Sequence, residues 1–152
     1  MTTFTKAADV SAEIHRRLSD IRLANASETD CGRDVMLGRR KLPGDEQPPC
    51  IVVLEGGDTV TSQPGRIPMA LISQAYTIDG FDKCDPDNPN TQAHKIIRDI
   101  KRALFKGDAT FGGLVKSVTY IGRDIGPRPD GVALVQARVM VSVEFVEDLT
   151  NP

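Results

Sequence analysis

His15 and His94 are the two imidazoles of this chain. Each stands in a helical stretch without a second histidine four residues away or a cysteine at ligand spacing, so neither fits a recognisable metal site. His15 sits among charged residues and His94 beside Lys95, which reads as surface or half-buried histidine. The stretch from Asp79 to Asn90 offers Asp82, Asp85, Asp87 and Asn88, oxygen donors of the kind calcium takes. An EF-hand loop wants acids at positions 1, 3 and 5, glycine at 6 and glutamate at 12. Counted from Asp85, position 5 is Pro89 and position 6 is Asn90. Turn formation and helix capping account for these residues instead.

The remaining chemistry is equally sparse. No serine stands in a GxSxG elbow, and the glycines at 56–57 and 112–113 form neither GxGxxG nor GxxxxGK[ST]. Cys31, Cys50 and Cys84 are an odd number spaced 19 and 34 apart; they make no zinc pattern and are expected to be free thiols in a reducing compartment. Tryptophan is absent and aromatics are 5% of the chain, poor material for stacking bases or sugars. A net charge of −2 gives no electrostatic case for a nucleic-acid-binding domain. The expectation is no catalytic residue, no cofactor and no metal. One charge feature stands out: Arg33, Arg39, Arg40 and Lys41. They read either as a solvated loop or as a contact with an acidic partner surface or with DNA passing nearby. Arg128, in the loop from Gly126 to Gly131, carries the same two readings with less charge.

The elements that would position these residues fit one domain spanning 1–152, with 39% apolar and 26% charged residues. No apolar run approaches the roughly 18 residues of a membrane helix and no signal-peptide pattern opens the chain, so use in a cytoplasm is expected. Val10, Ile14, Leu18 and Ile21 line one face of a first helix over Lys6 to Leu23. Glycines and prolines then break the pattern, and 25–49 reads as a long surface loop or arm with a weak strand at Asp34–Leu37. Cys50–Glu55 is apolar enough for a strand buried on both faces, followed by a turn at Gly56-Gly57-Asp58. A strand is expected over Ile67–Ile78 and a loop over Asp79–Asn90. A second helix over Thr91–Phe105 has Ala93, Ile96, Ile97, Ile100, Ala103 and Leu104 inside, with Asn90 or Thr91 as N-cap and Lys106-Gly107 as its stop. A strand over Leu114–Ile121 follows.

The chain closes on a strict alternation. From Val132 to Val146 the odd positions are Ala133, Val135, Ala137, Val139, Val141, Val143 and Phe145, while Gln136, Arg138, Ser142 and Glu144 stand at even ones. This pattern predicts a strand with one apolar face, roughly 45–50 Å long at ~3.3 Å per residue. Its polar face, with Arg138 and Glu144, and its surplus length are expected to meet neighbouring molecules. Pairing of the last two strands makes a long C-terminal β-hairpin. The fold class expected is α+β, a two-layer sandwich of a mostly antiparallel sheet with two helices packed on one face.

The order and texture of these parts resemble one family. The Pro-preceded strand Pro49-Cys-Ile-Val-Val-Leu54 follows an amphipathic helix, and a strand then opens with Arg66-Ile-Pro. The helix Ile96-Ile-Arg-Asp-Ile-Lys-Arg-Ala-Leu104 leads into Val115-Lys-Ser-Val-Thr-Tyr120, and the chain ends with Ala137-Arg-Val-Met-Val-Ser-Val-Glu-Phe-Val146. From about Lys6 to Glu147 the chain resembles the tail terminator, or tail completion, proteins of long-tailed bacteriophages. The 25–49 segment departs from that pattern. The resemblance implies a virion structural protein that forms a homohexameric ring on the head-proximal end of the tail tube and halts its polymerisation. It further implies a surface for the head's connector, possible passage of DNA through the ring, and no catalytic residues. Another phage neck or tube protein, or a small cytoplasmic α+β enzyme or ligand-binding domain, are the alternatives.

Overall fold

A computed structural model describes residues 5–38, 47–66, 68–126 and 131–152. Its elements run α1 (Lys6–Ser19), β1 (Val35–Leu37), β2 (Cys50–Ser62), β3 (Met69–Lys83), α2 (Pro89–Phe105), β4 (Ser117–Ile125) and β5 (Leu134–Asp148), with short 3-10 turns at Leu23–Asn25 and Cys31–Arg33. The five strands form one sheet in the order β1-β2-β3-β5-β4. β1 and β2 are parallel; every other pairing is antiparallel. The α+β arrangement expected from the sequence is the one observed.

Both helices pack on one face of the sheet. Val10, Ile14 and Leu18 of α1 and Ala93, Ile96, Ile97, Ile100 and Leu104 of α2 join Val135, Ala137, Val139, Val141, Val143 and Phe145 of β5 in a single core. The alternation of β5 is thus the physical reason for the two layers: its odd side chains are sealed beneath the helices, and its even ones face away. Thr5 caps α1, its hydroxyl accepting from the Ala8 amide at 3.1 Å. α2 starts two residues earlier than expected, with Asn88 at the cap position and Pro89 in the first turn, where a missing N–H costs nothing. It stops at Lys106, beyond which Gly107 takes a φ of +83°.

Five further features differ from expectation. α1 ends at Ser19, and Ile21 remains buried although it has left the helix. The described part of the 25–49 segment is no surface arm, because Thr29, Cys31, Gly32, Val35 and Met36 are buried. Gly32 lies against the end of α1, where a Cβ would come within 2.5–2.8 Å of the carbonyl oxygens of Leu18, Ile21 and Ser19. β2 does not turn at Gly56-Gly57-Asp58 but continues to Ser62 through a register shift between Glu55 and Asp58. There the glycines absorb a bulge, and Thr59-Val60-Thr61 restores β-favouring residues. β3 runs through Asp79-Gly80 to Lys83, since Gly80 serves close packing: a Cβ there would lie 2.4 Å from Ile96 Cγ2. β4 is shifted toward Ile125, with a bulge between Tyr120 and Gly122.

The length of β5 also has an internal use. Its residues Leu134–Asp148 pair in unbroken register with Lys83–Met69 of β3. β5 is a central strand, and the surplus expected to reach a neighbour is taken up by β3.

Candidate assembly surfaces

The residues singled out from the sequence do not converge. Arg33 is exposed at the end of a 3-10 turn. Arg39, Arg40, Lys41 and Arg128 lie outside the described residues. Arg138 and Glu144 share the helix-free face of β5, six residues or roughly 20 Å apart. Arg138 is engaged within the sheet: Nε donates to Asp79 Oδ1 at 2.8 Å and Nη2 to Oδ2 at 3.1 Å. Asp79 is wholly buried while the Arg138 side chain stays 39% exposed. The hydrogen bond to Asp79 holds the Arg138 guanidinium in its charged form more firmly than usual. Beside Glu144, Ser73 and Ser142 hydroxyls bridge β3 and β5 at 2.6 Å.

The two histidines are apart and play minor parts. His15 is half-buried on α1. His94 is exposed on α2, its Nδ1 accepting from Arg123 Nη1 at 3.0 Å. The acids of the expected loop do turn and strand work: Asp85 Oδ1 accepts from the Asp87 amide and Asp82 Oδ2 from the Gln92 amide group. Among the described residues, no group of three or more His, Cys, Asp or Glu side chains is placed to hold a metal ion. The three cysteines are free, and burial pushes the Cys31 thiol up to about 12.

Two further constellations were not legible in the sequence. Ser11 on α1 donates its hydroxyl to Glu55 Oε1 on β2 and sits 3.1 Å from the Tyr76 hydroxyl on β3. Burial raises the Tyr76 phenol to about 12. No imidazole joins this group in the hydrogen bonds of the described residues, and the arrangement ties α1 to the sheet. A cleft of about 600 Å³ opens where the C-terminal ends of α1 and α2 approach, lined by Arg16, Arg17, Asp20, Asp99, Arg102 and Lys106. Its arginines close the fold: Arg17 donates to the Asp108 carbonyl at 2.6 Å and stacks 4.5 Å from the Phe111 ring, and Arg102 donates to the Ala26 carbonyl. Asp99, buried at 2% exposure, accepts from the Glu28 amide and the Thr29 hydroxyl.

What remains open is the sheet itself. β1 covers only Ile51–Val53 of β2, so from Leu54 to Ser62 β2 is an edge among the described residues. β4 is the opposite edge. Both carry exposed apolar side chains, Val60 at 52% on one and Tyr120 at 40% and Ile121 at 60% on the other. Edges of this kind are templates for pairing unless blocked, and β2 has no lysine, arginine or proline between Cys50 and Ser62. That bare composition is visible in the sequence, but it does not by itself say which strand lacks a neighbour.

The registers align these edges. Ser117, Glu144, Ser73 and Thr59 form one row across the sheet; Val118, Val143, Gln74 and Asp58 form the next. Two rows on, Tyr120, Val141, Tyr76 and Glu55 lie side by side. The exposed part of β2 and the first half of β4 therefore stand at the same height on opposite sides. No helix of the described residues is long and apolar enough to cross a membrane. A scan of protein-family models finds no match to this chain, and a search of curated proteins finds none either.

Proposed function

We propose that this protein is a tail-terminator-type virion component of a long-tailed bacteriophage. In this reading, copies assemble in the host cytoplasm as a ring, with six the number the resemblance implies. The ring sits on the head-proximal end of the tail tube, stops tube polymerisation and offers its far side to the neck or connector, leaving a central passage for DNA. The observation that carries the reading is the placement of open surface. Among the described residues, helices occupy one face only, while β4 and the part of β2 beyond Val53 are uncovered at matching heights on opposite sides. A unit with different open surfaces on its two sides makes head-to-tail contacts, which close into rings when the rotation allows.

In the same phage setting, a tube or other neck subunit would use the same edges. Tube assembly separates these readings. Tube protein polymerised with this chain present should give tubes that stop growing and carry a cap at one end. Open filaments built of this chain alone would make it a tube subunit, and tubes of unaltered length would remove the terminator reading. The cleft between the helix ends favours a second class, a ligand-binding or enzymatic α+β domain. Saturable binding of a small molecule by a monomer, lost on Lys106→Glu, would establish that class.

A further inference from the structure

We infer that copies of this chain join by strand addition, with Ser117–Tyr120 of β4 in one copy lying antiparallel against Glu55–Thr59 of β2 in the next. The inference rests on the ring reading and specifies its contact and its partner, a second copy of the chain.

Direction comes first. β2 is antiparallel to β3, β3 to β5, and β5 to β4. Hence β2 and β4 run oppositely, and a copy placed beside another in the same orientation brings them together as an antiparallel pair. Height comes second. Because Ser117 shares a row with Thr59 and Tyr120 with Glu55, the edges meet without displacement along the strands. A head-to-tail contact with no such displacement can close on itself, whereas one with an axial step builds a helix.

The edges also match in charge and in backbone. From Cys50 to Gly65 the chain has no cation, and the exposed β2 edge presents Glu55 and Asp58. The β4 edge presents Lys116 and Arg123, with the Lys101 ammonium 4.2 Å over the Tyr120 ring. Row for row, Lys101 of one copy comes next to Glu55 of the other. Even residues of β5 turn their backbone groups toward β4, Gln136 accepting from the Gly126 amide at 2.9 Å and Glu144 from the Lys116 amide at 2.7 Å. Ser117 and Thr119, opposite Glu144 and Ser142, therefore bond inward, and the alternation of an antiparallel ladder turns the Val118 and Tyr120 amides outward. Those are the donors a neighbouring strand would use.

The test is a double variant, Ser117→Cys with Thr59→Cys, oxidised and run on a non-reducing gel beside each single variant. The inference predicts a ladder that ends in one ring-sized band for the double variant, with single variants stopping at dimers. Val118→Pro, which removes an outward N–H at an edge position where proline is tolerated, should lower ring yield at least tenfold with an unchanged circular dichroism spectrum. Rings that persist in Val118→Pro, with no ladder from the double variant, would overturn the edge contact and leave the ring reading standing. A chain that forms neither rings nor ladder, alone or with tube ends, would overturn both. Should Val118→Pro fail to fold, the ladder alone decides.

Discussion

Arg138 on β5 clasps Asp79 on β3 through two hydrogen bonds of 2.8 and 3.1 Å, neutralising a carboxylate with no exposure to water. The two residues are direct cross-strand partners on the helix-free face. Charge on that face is therefore fixed at the middle of the sheet, where the pair joins its two longest strands.

Removing the cation should expose the cost of that burial. Breaking a buried pair from one side typically costs 3–5 kcal/mol; since Arg138 is partly solvated, Arg138→Met should lose about 2 kcal/mol at neutral pH. Urea unfolding of both proteins at neutral pH checks this, and an unchanged midpoint would speak against it.

Gly80 predicts a packing conflict of known partner. An alanine Cβ there would stand 2.4 Å from Ile96 Cγ2 and 3.5 Å from Ile100 Cδ1. Gly80→Ala should cost about 1–3 kcal/mol by overpacking. Adding Ile96→Ala should recover part of that loss, giving a double variant more stable than the sum of its singles. Strict additivity in denaturant unfolding would mean that the two residues do not meet.

Val141, 1% exposed, lies between Tyr76 and Tyr120 on the core side of the sheet. Val141→Asp places a carboxylate there without a partner, a change expected to cost more than about 4 kcal/mol. Circular dichroism should show an unfolded chain, and a native spectrum with an unshifted Tm would contradict the burial of this row.

Acid should loosen α1. Hydrogen bonds from Arg16 first, and from Arg17, against an opposing burial effect, hold the Glu13 carboxyl below its ordinary 4.5. Its contribution is thus present above 4.5 and is lost as pH falls through the lowered value. Glu13→Gln should cost about 0.5 kcal/mol at pH 7, and the difference should vanish once pH has fallen below the lowered value. A pH-independent difference in thermal unfolding would refute the ionic origin.

Periodicity made the layers legible. The four-four-three spacing of Val10, Ile14, Leu18 and Ile21 and the alternation of β5 each name a buried face, and the core contains those residues except Ala133, which is exposed just ahead of β5. Glycine was read less well, because one residue serves turns, bulges and close approach alike. Gly56-Gly57 make a bulge and Gly80 admits Ile96, yet both sites look like turns in isolation. Asp79 followed the same error: next to Gly80 it read as loop, and only the pairing of β3 with β5 brings it to Arg138. The edges were hidden for a different reason. An edge is defined by which strands lack neighbours, and strand order is a long-range property that local pattern does not encode.

In the proposed reading, the sheet edges left uncovered among the described residues let this chain close into a ring. Negative-stain microscopy of the purified chain, alone and mixed with tail tube ends, decides this. Closed rings of one diameter are expected, in solution or seated on a single end of each tube. A chain that stays monomeric in both samples, leaving tube ends bare, would contradict it.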